Sequence, residues 1–344
     1  MYVYNESNLS FFNKRREGML ILFLPTLLII LLNINKIKKI LKKLMWLLLF
    51  LIILNQYYYS FYILLIMMFF KKRKTLKYIL YTSSFFYILT IFLYYSNILI
   101  RNEKIIHYRI YNGELLYRHM LGFQHPNFAM ILLFPIFTSI YYLYYNNKNK
   151  NIMMLFFFIV SSGIFFLTYS RTTFLTFLFF ILLIKIKDKY ILKFKNIVYF
   201  EVIMSLIITF IIPIFFYSEG LNRLLSMRLF LFREYISNYK ISFLGSRSIT
   251  KLYSEVPLDN LYLRIYVEQG IIGIVLFIFL IIIMIKVLYK EKDTKAIRIL
   301  IIIILFSNFE AMGFEYWFNI LLYIIPSYIF SCYSNNKINK SFLD

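Results

Sequence analysis

The sequence predicts an all-α, polytopic integral membrane protein with about ten to twelve transmembrane helices, forming one membrane domain over 1–344. Three observations carry that prediction. Hydrophobic residues make up 61% of the 344 and charged residues 16%, more apolar surface than a soluble core of this length can hide. The apolar residues fall in runs of about 15–22, the length that crosses a bilayer as a helix. Short stretches rich in Lys and Arg separate the runs, as loops do between membrane spans.

In chain order the spans are 19–33, 41–55, 57–70, 76–95, 126–145, 152–169, 172–186, 197–217, 269–288, 298–309 and 315–331. The second and third share the polar break Asn55-Gln56 and are flanked by basic clusters at Lys36–Lys43 and Lys71–Lys74, so they form a tight hairpin whose ends are cytoplasmic. Lys185, Lys187, Lys189, Lys193 and Lys195 mark a second cytoplasmic loop. Lys286, Lys290, Lys292, Lys295 and Arg298 mark a third. Alternation from these loops puts an outer loop at 96–125, the turn at 170–171 and a large outer loop with interfacial helices at 218–268 on the other face. The C-terminal tail, with Lys337 and Lys340, falls inside. The same alternation puts the N-terminus outside while Lys14, Arg15 and Arg16 favour the inside, so either the first run does not cross fully or a further helix precedes it. Met19–Asn33 lacks a small-residue cleavage site, so no cleavable signal peptide is expected.

The net charge of +23, from 39 Lys and Arg against 16 Asp and Glu, raises the question of nucleic acid. Its placement answers it: the cations sit between apolar runs, where the positive-inside rule puts them, and gather on no single folded face. No nucleic-acid partner is expected. Cys332 is the lone cysteine and His107, His119 and His125 are the only histidines, too few for a disulfide framework or a thiolate or histidine metal site. No metal and no cofactor are expected.

The predicted outer segments carry the residue types that bind phosphate and move protons. The first cluster runs from Arg118 to Asn127. Pro126 suits the first turn of a helix and keeps His125 out of helical geometry, so His125 stands at the mouth of a span as a helix cap or as a proton acceptor. Arg118 there either snorkels to headgroups or meets an anion. The second cluster is Thr168–Thr173, a tight turn in which Arg171 runs against the positive-inside bias; a guanidinium fits phosphate bidentately, though snorkelling also accounts for it. The third is 218–268, with Arg223, Arg228, Arg233, Glu234, Gly245, Arg247, Asp259, Asn260 and Glu268. Leu224–Tyr239 alternates as a helix lying in the interface does, Phe243–Ser246 breaks it, and Asp259-Asn260 can cap a helix that leads through Gly270–Gly273 into the next span.

Taken in order, these motifs resemble the Wzy-type polysaccharide polymerases of the O-antigen polymerase and ligase superfamily. The resemblance rests on Arg-x-x-Leu-Gly-Phe-x-His-Pro-Asn (Arg118–Asn127), Ser-Arg-Thr (Ser170–Thr172), Phe-Leu-Gly (Phe243–Gly245), and Asp-Asn-x-Tyr-Leu followed by Gly-Ile-Ile-Gly (Asp259–Leu263, Gly270–Gly273). It covers the chain from about residue 75 onward. Gly245-Ser246 stands where family members often have Gly-x-Gly, and the N-terminus is short.

The resemblance implies an all-helical C-type membrane glycosyltransferase in the bacterial plasma membrane. Its activity would be the joining of oligosaccharide repeat units, carried on undecaprenyl diphosphate, into capsular or exopolysaccharide at the outer leaflet, without a metal. The partners implied are a lipid-linked donor, a lipid-linked acceptor, membrane lipids, a flippase and a chain-length regulator. Without a metal, stabilising the departing diphosphate falls to arginine, and Arg118, Arg171 and Arg228 match positively charged family positions; Arg247 and Arg223 are weaker candidates. The acceptor hydroxyl needs a base, and the outer carboxylates Glu103, Glu114, Glu219, Glu234, Glu255, Asp259 and Glu268 are the choices; Asp259, in a family motif but also able to act as a cap, and His125 are the candidates singled out. The related ligases use a histidine in the large outer loop, and 218–268 has none, which favours polymerase over ligase. A flippase of lipid-linked oligosaccharide is the alternative from another class. It is disfavoured because ionisable residues gather at span ends and no repeated halves are seen.

Overall fold

Helices dominate the protein, and their ends alternate between two faces. A computed structural model describes residues 72–98, 108–111, 114–123, 125–146, 148–225, 227–238, 243, 245, 258–313, 318–325, 327 and 328. The predicted spans at 19–33, 41–55 and 57–70, Arg247, Cys332 and the C-terminal tail lie outside the described residues.

The first helix, α1 (Lys72–Tyr95), is followed by strands β1 (Tyr108–Tyr111) and β2 (Glu114–Tyr117), which pair antiparallel with Tyr108 opposite Tyr117. This hairpin is not among the predicted elements, although Asn112-Gly113 between its strands is a strong short-range hairpin signal. Pro126 opens α2 (Pro126–Ile131) as predicted. Pro135, which has no N–H to give to Ile131, sets the break before α3 (Leu133–Tyr144). Next come α4 (Lys150–Thr168), α5 (Arg171–Lys185), the short α6 (Asp188–Lys193) and α7 (Lys195–Leu206). A π-helical turn at Ile207–Ile211 and α8 (Ile212–Phe215) extend α7.

In the predicted large loop lie α9 (Glu219–Leu224) and α10 (Arg228–Asn238), the latter on the stretch expected to be helical. Helix α11 (Leu261–Lys290) starts before the expected span and runs through it with one non-helical residue, Gly270 at φ 70° and ψ −162°. Helix α12 (Thr294–Phe306) is capped by the Asp293 carboxylate, which accepts from the Ala296 N–H.

Among the described residues, five helical segments are long and apolar enough to cross a membrane: Leu76–Tyr95, Pro126–Tyr144, Lys150–Thr168, Lys195–Phe215 and Leu261–Lys290. Helices α5 and α12, at 15 and 13 residues, are shorter than the roughly 20 residues that span a bilayer. Every residue of α12 from Ala296 to Ile304 is buried. Apart from Arg298 that stretch is apolar all round, as suits a helix enclosed by others. Beside it Phe134 stacks on Phe318 (centroids 4.6 Å apart) and on Phe306 (5.5 Å).

Polar contacts show which helix ends lie together. At one end Arg298 is fully buried, donating to the carbonyls of Leu183 and Ile186 and pairing with Asp188 at 2.8 Å. Lys295 donates to the Tyr142 and Tyr145 carbonyls, Lys150 to that of Lys185, and Tyr289 to that of Ile191. The cations of this end therefore serve helix C-termini, whose last carbonyls have no intrahelical donor. Arg298, which the sequence marks as the edge of a cytoplasmic loop, is thus buried at a helix end. The opposite end collects Arg118, Thr168, Asn127 and Ser170, and likewise Thr209, Arg228, Asn260 and Asn308.

Candidate functional site

The first part of the site grows from the C-terminal end of α4. The Thr168 carbonyl, orphaned where the helix stops at left-handed Tyr169 (φ 49°), accepts from Arg118 Nε at 2.7 Å. One residue back, the Leu167 carbonyl accepts from the His119 N–H at 2.9 Å. Arg118 Nη2 donates to Asn127 Oδ1 at 2.6 Å, and Ser170 Oγ donates to the same oxygen at 2.9 Å. Asn127 thus ties the first predicted cluster to the second. The turn that leads there places Leu121 and Gly122 at positive φ; a Cβ on Gly122 would stand 2.9 Å from the Thr90 carbonyl oxygen of α1. Phe123 then packs on Tyr87, their ring centroids 5.4 Å apart.

His125 has the extended backbone expected before proline (φ −148°, ψ 144°), and its Nδ1 accepts from the Asn127 N–H at 3.1 Å. Nδ1 is therefore occupied as the N-cap of α2, which leaves the neutral ring's proton on Nε2. That geometry gives His125 the role of cap. Arg171 is the first residue of α5 and is exposed, beside Ser170 and the Asn127 junction.

The second part is built around Arg228, the first residue of α10. Asn222, itself buried, holds that helix start: its Oδ1 accepts from the Phe230 N–H at 3.0 Å, and its carbonyl accepts from the Met227 N–H at 2.8 Å. The Arg228 side chain is 11% exposed. Its Nη2 stands 3.5 Å from Asp259 Oδ2 and 3.9 Å from Glu310 Oε1, and donates to the Phe309 carbonyl at 3.3 Å.

Asp259 is available to Arg228 because Asn260 takes the capping role. Asn260 Oδ1 accepts from the Leu263 N–H at 2.8 Å, and its Nδ2 donates to Thr209 Oγ1 (3.0 Å) and the Asn308 carbonyl (3.1 Å). Thr209 lies in the π-helical turn, and Asn308 Nδ2 donates to Ser205 Oγ at 2.9 Å. These neutral groups fasten the end of α7, the start of α11 and the end of α12 to one another.

The Asp259 side chain keeps 39% of its surface exposed, while that of Glu310 keeps 7%. Loss of water around Asp259 pushes its carboxyl up and Arg228 pulls it back. Glu310 is driven well above the ordinary carboxylate range, first by burial and then by Asp259, with Arg228 opposing. Glu268 is engaged by Arg264 one turn earlier, Nε to Oε1 at 2.9 Å.

The break after α10 and the glycine stretch of α11 also meet. The Ile272 N–H donates to the Phe243 carbonyl at 3.2 Å, across the kink at Gly270. Gly245 (φ 77°) lies so close that a Cβ on it would stand 2.3 Å from the Glu268 carbonyl carbon. Two of the motifs read from the sequence are one clamp in the fold.

No family model, no curated protein and no solved structure matches the chain. Function therefore rests on the chemistry of the site. Glu310 is absent from the carboxylates that the sequence singles out, although alternating spans put residues 310–314 on the same face as 218–268. Asn222 and Asn308 carry no sequence signal of their own, since an asparagine near a span end is common. Among the described residues no three His, Cys, Asp or Glu side chains gather where a metal ion could be held.

Proposed function

We propose that the chain is a membrane glycosyltransferase that polymerises lipid-diphosphate-linked oligosaccharide repeat units into capsular or exopolysaccharide at the outer leaflet of a bacterial plasma membrane. The observation that carries this reading is Asp259: it is relieved of helix capping by Asn260, partly open, and 3.5 Å from Arg228 at one end of the helical bundle. Supporting it are the exposed Arg171 at the start of α5, joined through Ser170 and Asn127 to Arg118, and the order of the motifs along the chain.

In this mechanism the acceptor hydroxyl oxygen attacks the anomeric carbon of the donor sugar. A new C–O bond forms as the bond to the diphosphate breaks, and the electron pair leaves on the diphosphate oxygen. Asp259 takes the hydroxyl proton as general base. Arg171 meets the charge that develops on the diphosphate, and Arg118 is fixed beside it by the Thr168 carbonyl. Arg228 works through Asp259, which it holds in place.

Two measurements test the reading. Cells lacking the chain should accumulate single repeat units on the lipid carrier at the outer leaflet; units trapped on the inner face would mark a flippase and reject the proposal. Arg171→Ala should abolish polymer while the protein stays at normal membrane abundance, because the side chain is exposed. Continued chain growth in that variant removes Arg171 from the diphosphate site.

A further inference from the structure

Glu310 has no part in the mechanism above, yet its surroundings are unusual for a carboxyl. It lies just beyond α12, with a side chain 7% exposed, and Oε1 has no hydrogen-bond partner among the described residues. A buried ionised carboxylate normally gathers N–H donors. Here the charged neighbour is Arg228, whose Nη2 stands 3.9 Å away and is nearer to Asp259 on its other side, at 3.5 Å. One guanidinium cannot balance two carboxylates, and two carboxyls sharing a site do not both ionise readily.

We infer that Glu310 is a positioning residue of this site: the enclosed carboxyl that shares Arg228 with Asp259 and leaves the negative charge of the pair on Asp259. The inference rests on the reading of Asp259 as the base. The two carboxyls differ in exposure by enough to sort them, 7% against 39%, since water stabilises the ionised form of the more open one. Among the described residues, the charged groups acting on Glu310 are Asp259, at the start of α11, and Arg228, at the start of α10. Ser205 and Thr209 from the α7 side, and Asn260 and Asn308, are neutral and hold the helix ends together. Burial and Asp259 both push the Glu310 carboxyl up, in keeping with a protonated side chain. Sharing makes each carboxyl sense the other through one cation.

The experiment is carbodiimide modification of the full chain in detergent, which needs the protonated acid, followed across pH by peptide mass spectrometry. In Asp259→Asn the charge that keeps Glu310 protonated is gone, so the midpoint of the Glu310 labelling curve should fall by about one pH unit. An unmoved midpoint overturns the inference. Should Asp259→Asn fail to assemble, the native chain gives a second measurement: the Glu310 midpoint should lie above that of Asp259, and the reverse order overturns the inference. These readouts need no transferase activity, so the expected midpoints in a native chain that makes no polymer would reject the proposed function and leave the inference standing. In active protein Glu310→Gln, neutral like the protonated acid, should keep polymer formation and its acid limb. A residue that only supports the fold would leave the Glu310 midpoint unmoved by Asp259→Asn.

Discussion

At the scale of single residues, a base must be ionised, and Asp259 is pushed up by burial more than Arg228 pulls it down. The carboxylate form is present above its raised value and lost as pH falls through it. Polymer formation should therefore fade on the acid side at a pH above about 4, where an ordinary aspartate titrates. Initial rates in proteoliposomes across pH check this; a limb at or below the ordinary value would remove Asp259 as the base. Arg228 and Arg171 then separate as probes. Arg228→Met leaves two carboxyls without their cation, and breaking a buried pair costs about 3–5 kcal/mol, somewhat less here because Asp259 keeps 39% of its side chain exposed. That variant should lose thermal stability as well as activity, whereas Arg171→Ala should lose activity alone; melting in detergent distinguishes them. Arg228→Met melting with the native protein would mean that the Asp259–Arg228–Glu310 pairing contributes nothing to the fold.

At the scale of elements, the glycine motifs explain how an irregular segment is held against a spanning helix. The kink at Gly270 frees backbone donors of α11, and the Ile272 N–H finds the Phe243 carbonyl instead of a helical acceptor. Gly245 permits that approach twice over, by its positive φ and by the lack of a Cβ facing Glu268. Gly245→Ala should thus cost about 2 kcal/mol or more, because neither backbone can yield at 2.3 Å. A lowered melting temperature and faster proteolysis between α10 and α11 would report it; unchanged cleavage would show that this clamp is not closed. The sequence made α10, the start of α2 and the helix that begins after Asp259-Asn260 legible, because periodicity and caps are local signals. It did not reveal that Asn260, rather than Asp259, caps α11, since either residue can cap and only the packing of Thr209 and Asn308 decides. The hairpin was missed for a different reason: apolarity along 96–125 carries no helical or membrane period, and the Asn112-Gly113 turn was its sole signal.

At the scale of the whole molecule, the two ends differ in how they use charge. One end uses lysines and Arg298 on helix C-termini, while the other holds Arg228 among carboxylates and Arg118 against the Thr168 carbonyl and Asn127. Membrane-spanning helices were legible because most apolar runs are bounded by charge; Glu310 was not, because its importance comes from residues 228 and 259, far from it in the chain. By the positive-inside rule the lysine-rich end would face the cytoplasm and the Arg228 end the outside. A cysteine scan tests it directly. In a Cys332→Ala background, Ser218→Cys, exposed just before α9, should react with a membrane-impermeant maleimide on intact spheroplasts. Lys189→Cys, exposed in α6, should react only after permeabilisation. The reverse pattern would place Asp259 on the cytoplasmic face, out of reach of repeat units already carried across the membrane, and the polymerase reading would fail with the orientation.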